Sequence, residues 1–258
     1  MATIRILCWN VLATPHTRYN AAFHGQATVE SEAQKIERYS RNKAIIDQTA
    51  ADVVCLQEAD DAFVSMLQPA HTILRHFLNG NREGTALLAL VGGSLEVTGA
   101  TSLDLQWGKS AVFAFLRSPA FGGAVWLASM HLSGGPHALD ARIAQLQTVR
   151  VAMAAAAGSS SDGLVLCGDF NDTDPDAMQA SVAEGARLRR APGDVGSASG
   201  LTADFLHATR IDHVVISAEA QGRVHGVQLP FAPGNPWRAG ADVLVGSDHV
   251  PLIFDIAL

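Results

Sequence analysis

Leu164-Val165-Leu166-Cys167 runs directly into Gly168-Asp169-Phe170-Asn171, and Asp172-Thr173-Asp174-Pro175 follows. An apolar run of this kind, bounded by turn-forming residues, predicts a buried strand. Side chains alternate along a strand, so Asp169 and Asn171 share one edge while Phe170 turns the other way. Asp172 to Pro175 then breaks the strand and caps a helix that starts near Pro175 and runs to about Glu184. Strand packing calls for no carboxylate or amide at that corner. Binding of a hard cation or a phosphate does.

Other apolar runs also end on polar groups. Ile4 to Val11 puts Ile4, Ile6, Cys8 and Asn10 on one face. An asparagine continuing such a face costs free energy unless its amide finds partners. A strand-end Asn bonding to backbone accounts for it equally well at this point. Asp52 to Gln57 is a second buried strand and delivers Glu58 at its end. Ala124 to Leu132 closes with Ser129-Met130-His131-Leu132, where a lone histidine is more often a hydrogen-bonded core residue than a ligand. Arg210 to Ser217 carries Asp212 near its start, and Gly246-Ser247-Asp248-His249 leads into a final strand, Val250 to Ile256.

Between these strands, Ile36, Tyr39 and Ile46 mark the buried face of a helix over about Gln34 to Ala50. Asp60 caps a short helix through Leu67 that turns Phe63 and Leu67 inward. Strands follow in series at Thr85 to Val91, Leu95 to Leu103, Ser110 to Leu116 and Ala124 to Leu132. The short Gly-bearing turns between them predict antiparallel neighbours. Ala138 to Ala157 is the clearest helix, with Leu139, Ile143, Leu146, Val149 and Met153 on one side. Residues 12 to 34, with His16, Arg18, Tyr19 and His24, read as a long loop of the kind that often carries function. Arg187, Arg189 and Arg190 read as a solvated basic surface, with phosphate contact the lesser alternative.

Composition bounds these readings. Of 258 residues, 48% are hydrophobic and 17% charged, which excludes a disordered chain and suits one domain over 1–258. Lys and Arg number 18 against 25 Asp and Glu, a net charge of -7. A protein gripping duplex DNA through its phosphates would be basic, so the charge weakens a nucleic-acid substrate without removing it. Cys8, Cys55 and Cys167 form no C-x-x-C pair and sit in apolar runs, as buried thiols in a reducing compartment do. No secretory pattern and no apolar run of membrane-spanning length is present, so the expectation is an intracellular, cytoplasmic protein without stable membrane association.

Taken together, Asn10, Glu58, His131, Asp169, Asn171, Asp212, Asp248 and His249 all lie at or beside the ends of strands. Carboxylates with an amide suit Mg²⁺ or Mn²⁺, whereas zinc favours more His and Cys. Two histidines with a nearby carboxylate suit stabilising or protonating a phosphoryl oxygen. These parts describe metal-assisted phosphoester hydrolysis.

The ordered series Trp9-Asn10, Leu56-Gln57-Glu58, His131-Leu132, Gly168-Asp169-Phe170-Asn171, Ile211-Asp212-His213 and Ser247-Asp248-His249 resembles the endonuclease/exonuclease/phosphatase superfamily. Each motif alone is weak, and six in this order over residues 9 to 249 are specific. The resemblance implies a four-layered α/β sandwich, two mixed β-sheets face to face with helices outside and the site at one sheet edge. It implies Glu58 as metal ligand with Asn10 beside it, Asp169 orienting or deprotonating water, and Asn171 holding water or phosphate. It also implies Asp212 aligning His249, His249 and His131 on the phosphate, and Asp248 completing the polar cluster near the metal.

Asn10-Val11-Leu12-Ala13 and Cys55-Leu56-Gln57-Glu58-Ala59-Asp60 are most similar to the deadenylase-like branch, the nocturnin, Angel and 2′,5′-phosphodiesterase type. That branch implies RNA or an oligonucleotide cut from an end. Aromatic content is only 6%, leaving Trp237, Tyr19 and Trp107 as candidates for base stacking. Two alternatives remain at this point: an abasic-site DNA, inositol-phosphate or sphingolipid esterase of the same fold, or a silent binding homologue. The silent homologue would be expected to lack Glu58, Asp169 or His249, and all three are present.

Overall fold

The computed structural model describes residues 3–19, 29–80, 82–119, 122–135, 137–158, 162–180, 188–192, 197–199, 209–228, 247 and 249–258. Its strands are β1 (Thr3–Asn10), β2 (Val53–Ala59), β3 (His71–Leu78), β4 (Gly84–Leu90), β5 (Glu96–Asp104), β6 (Ser110–Arg117) and β7 (Ala124–His131). They continue as β8 (Gly163–Asp169), β9 (Leu188–Arg190), β10 (Ser197–Ser199), β11 (Thr209–Ser217), β12 (Val224–Gln228) and β13 (Leu252–Ala257). Helices are α1 (Glu32–Thr49), α2 (Asp61–Leu67), α3 (Leu139–Ala157) and α4 (Pro175–Ala180).

Among the described residues one sheet runs β12-β13-β1-β2-β4-β3 and the other β10-β11-β8-β7-β6-β5, with β9 also on β11. Both are mixed: β1 with β2 and β7 with β8 are parallel, and the remaining pairs antiparallel. Ile6, Cys8, Cys55, Leu127, Val165, Cys167, Val214 and Phe254 fill the space between the sheets. The opposite faces are covered by helices. Leu7, Trp9, Val54 and Leu56 pack with Tyr39, Ile46 and Phe63 of α1 and α2. Leu164, Leu166 and Met130 pack with Leu146, Val149 and Met153 of α3 and Met178 of α4. The result is four layers, helix–sheet–sheet–helix, as the sequence resemblance implies.

Several local expectations are corrected. β4 and β5 are not antiparallel neighbours: the Gly92-Gly93 turn carries the chain from one sheet to the other. Strand β3 has no signature that sequence alone picks out, because as an edge strand it is mostly half-buried and mixes His71, Thr72, Arg75 and His76 with its apolar residues. The 12–34 segment is not all loop, since a 3-10 helix spans Thr14–Tyr19 and Ser31 starts α1 with a reciprocal capping box to Gln34. Ile36 is 60% exposed; the inner face of α1 is Arg38, Tyr39, Asn42, Ile45, Ile46 and Thr49. Leu139 is likewise exposed, and Arg142, Gln145 and Arg150 share the buried face of α3. On β9, Arg189 is solvated, as expected, while Arg190 is half-buried beside Asp174 and Asp176; Arg187 and the predicted helix beyond Ala180 lie outside the described residues.

Candidate active site

Alternation along the strands places the site. On β1, Ile4, Ile6 and Cys8 face the other sheet and Asn10 continues that face to the strand end. On β7 the inward row ends at His131, on β8 at Asp169, and on β11 it begins at Asp212 beyond Val214. The register brings these ends level: His131 pairs with Asp169, and Asp169 with Asp212. Both sheets therefore deliver polar groups to one edge of the space between them.

Glu58 arrives by a different route. Strand parity after Gln57 would turn it outward, but a bulge between Leu56 and Ala59 and a φ of +56° at Glu58 swing it back. Asn10 Nδ2 then donates to Glu58 Oε1 at 3.1 Å and to Asp169 Oδ2 at 3.0 Å, while its Oδ1 accepts from Leu12 N. His131 Nε2 lies 3.5 Å from Asp169 Oδ2 and 3.9 Å from Glu58 Oε1. His249 Nδ1 donates to Asp212 Oδ2 at 2.8 Å, leaving its Nε2 3.8 Å from Asp169 Oδ2.

Asn171 joins by a turn, not by alternation, because β8 ends at Asp169 and Asn171 has a φ of +51°. Its backbone N donates to Asp169 Oδ1 and its Nδ2 to Leu132 O. Phe170 is fully buried against α3's layer, as predicted. Gly168 is required here, since its φ is +145° and a Cβ would collide with the Met130 carbonyl. The surrounding loops are pinned from outside. Arg38 of α1 donates to Val11 O and Leu12 O, and Arg142 of α3 to Ser133 O and Gly135 O while pairing with Asp172. Ser247 Oγ donates to Asn10 O and accepts from His249 N. Asp248 and Trp237 lie outside the described residues, as does the side chain of Tyr19; Trp107 is exposed.

With this geometry in place, the model of the Endonuclease/Exonuclease/phosphatase family matches residues 7–249. The chain belongs to that family. No curated protein sequence matches it. Among solved structures, the human nocturnin catalytic domain with bound sulfate superposes at TM-score 0.67 with 20% identity, covering 99% of this chain and 94% of that one. ANGEL2, a 2′,3′-cyclic phosphatase, gives 0.74 with 14% identity over 98% and 94%. Truncated Caenorhabditis elegans TDP2 gives 0.67 with 15% identity over 99% and 98%. At these identities the likeness is one of fold. As an endonuclease/exonuclease/phosphatase family member the chain is a phosphoester hydrolase, and the enzymes of that family use divalent metals.

The family's metal fits the donors present. Burial works against an ionised Glu58, but the hydrogen bond from His16 and the electrostatic pull of the groups around it, His131 and His16 before Lys109, outweigh it and hold the carboxyl well below its usual range. An ionised, buried carboxylate at 8% exposure is a hard-cation ligand. Asp169 moves the other way: burial and the Asp212 carboxylate push it up to about 7, against His249 and Lys109. Burial, with Lys109 beside it, pushes His131 well below its usual range, so the ring is neutral and its Nε2 accepts from Lys109 Nζ at 2.6 Å.

Lys109 and His16 touch this cluster, and sequence reasoning did not place them there. Lys109 looks like an ordinary turn lysine after Gly108, yet it precedes Ser110, which pairs directly with His131. Only the β6–β7 register carries that signal. His16 stands in the loop marked as functional, and its Nδ1 donates to Glu58 Oε2 at 2.8 Å. Among the described residues no helix is long and apolar enough to cross a membrane.

Proposed function

We propose that residues 1–258 act as one catalytic unit that hydrolyses a phosphodiester of RNA or an oligonucleotide at or near an end, with Mg²⁺ or Mn²⁺ held by Glu58. The observation that carries the chemistry is the meeting of Asn10, Glu58, His131, Asp169, Asp212 and His249, from both sheets, at one edge. The cation, when bound, offsets charge on a phosphoryl oxygen. Asn10 orients the Glu58 and Asp169 carboxylates with its Nδ2. Asp169, raised to about 7, is poised to take a proton from the attacking water. Asn171 holds that water or a phosphate oxygen, and Asp248 adds to the cluster near the cation.

Asp212 fixes the His249 ring through Nδ1 and so aims Nε2 at the same point as Asp169 Oδ2, where it donates to a phosphoryl oxygen. Because His131 is neutral, Lys109 supplies the positive charge on that side.

RNA is favoured over DNA by one likeness: ANGEL2 acts on a 2′,3′-cyclic phosphate, a group that needs the 2′ oxygen that sets RNA apart. That makes a 2′,3′-cyclic RNA end a second substrate reading. The test is divalent-cation-dependent hydrolysis of poly(A), 2′,5′-oligoadenylate, RNA ending in a 2′,3′-cyclic phosphate, abasic duplex DNA and inositol phosphates. Turnover should be fastest on one of the RNA-type substrates. Equal or faster cutting of abasic DNA would place the chain with repair enzymes, and preference for inositol phosphates would remove nucleic acid from the reading.

A further inference from the structure

Glu58 presents its two oxygens to different surroundings. Oε1 faces the catalytic cluster, 3.1 Å from Asn10 Nδ2 and 3.9 Å from His131 Nε2. Oε2 accepts from Ala13 N and from His16 Nδ1, each at 2.8 Å. Across the His16 ring stands Glu83, just before β4, with its Oε2 3.7 Å from His16 Nε2. One ligand atom from each of His16, Glu58 and Glu83 lies within 4.8 Å of the others. This cluster shares only Glu58 with the catalytic one.

Glu83 points to a ligand. Its side chain is 9% exposed, and its buried Oε2 accepts no hydrogen bond. Its Oε1 has a long contact from Asn79 Nδ2, at 3.4 Å. A buried carboxylate so thinly supported is costly. Of the three, Glu83 also lines a cavity of about 350 Å³, together with Ala13, Thr14, Lys35, Asp60 and Arg82.

We propose that His16, Glu58 and Glu83 form a second divalent-cation seat beside the catalytic one, with Glu58 bridging the two. An imidazole with two carboxylates suits Mn²⁺, Co²⁺ or Zn²⁺ better than Mg²⁺, which prefers oxygen alone. Ligand atoms on one such cation sit about 3–3.6 Å apart, so the widest separation must close by up to about 1–2 Å. His16, on the 3-10 helix, is the most exposed of the three ligands. The proposal rests on the reading in which Glu58 holds a cation, and the experiment separates the two.

Mn²⁺ binding to the full chain is titrated calorimetrically for the wild type, His16→Gln, Glu83→Gln and Glu58→Gln, with electron spin echo spectra of the bound Mn²⁺. Two sites are expected in the wild type, one in each of His16→Gln and Glu83→Gln, and none in Glu58→Gln. Nitrogen modulation in the wild-type echo should fall away in His16→Gln. Thermal melts of the cation-free variants check that each is folded; Glu83→Gln removes a buried charge, so its melt should hold. One site in the wild type, lost in Glu58→Gln and untouched in the other two, overturns the second seat and keeps the catalytic cation. A single site weakened by all three substitutions puts His16 and Glu83 around the catalytic cation and also overturns it. No binding in any protein sinks both readings.

Discussion

Two residues separate the middle of the sandwich from its rim. Cys8 precedes Asn10, Cys55 precedes Gln57, and Cys167 precedes Asp169 on the same inward-facing rows. Burial does not distinguish them, since Cys8 and Cys167 are 2% and 0% exposed and Asn10 and Asp169 are 1% and 2%. Partners do. In the middle each row meets apolar side chains from the facing sheet, and burial pushes all three thiols up, leaving them unreactive. At the rim the rows meet one another's polar ends. Gln57 spans the two regimes, with its Nε2 donating across the sheets to Ser129 Oγ. Burial therefore supplies the low dielectric in both places, and only the rim turns it into reactivity.

The sharpest way to break this contrast is at the rim itself. Asp169→Asn should lower kcat on the order of 10⁴-fold, the upper range for losing an acid–base group. Its melting temperature should hold, because the lost charge was buried at a cost. An equally large fall in melting temperature would show that the rim is a structural network.

Next in size is the coupling between strands. Asp212→Asn and His249→Ala should each lower kcat by about two to four decades, with the double variant little worse than the poorer single. Losses that multiply would show the two acting independently, despite the 2.8 Å contact.

Leu127→Ala probes the middle. It should cost about 2–5 kcal/mol of stability by denaturant titration, with kcat per folded molecule unchanged. A decade's loss of kcat at full folding would mean that middle and rim are mechanically linked.

Lys109→Ala should lower kcat/KM by about 10²-fold, the lower range for removing one charge-stabilising donor. Lys109→Arg should recover part of that, and a silent alanine variant would return Lys109 to the solvated surface. The smallest effect belongs to the outer layer. Asp60 caps α2 by accepting from Phe63 N at 2.8 Å. Asp60→Ala should cost about 1 kcal/mol, read as a fall of roughly 2–4 °C in melting temperature.

Much of this was legible locally. Asn10, His131, Asp169 and Asp212 each terminate or open an inward row that period-two alternation reveals in a single strand. The Asp60 cap and the burial of Phe170 follow from equally short-range patterns. Glu58 could be placed at a strand end but not turned inward, because its bulge exists only against β4. Ile36 misled for a related reason: helical spacing cannot tell which side of α1 the sheet will cover, and Arg38 and Asn42 took the inner side by bonding the Val11 carbonyl.

By itself, then, the sequence determined the elements, the polar strand ends and the family to which their order belongs, because these depend on near neighbours and on ordered motifs. The tertiary structure alone decided that Gly92-Gly93 crosses between sheets, that edge strand β3 completes one of them, and that Lys109 reaches His131. It also decided that Glu83 comes within 3.7 Å of His16. Each of these depends on register between segments tens of residues apart, and a register leaves no trace in either strand taken singly.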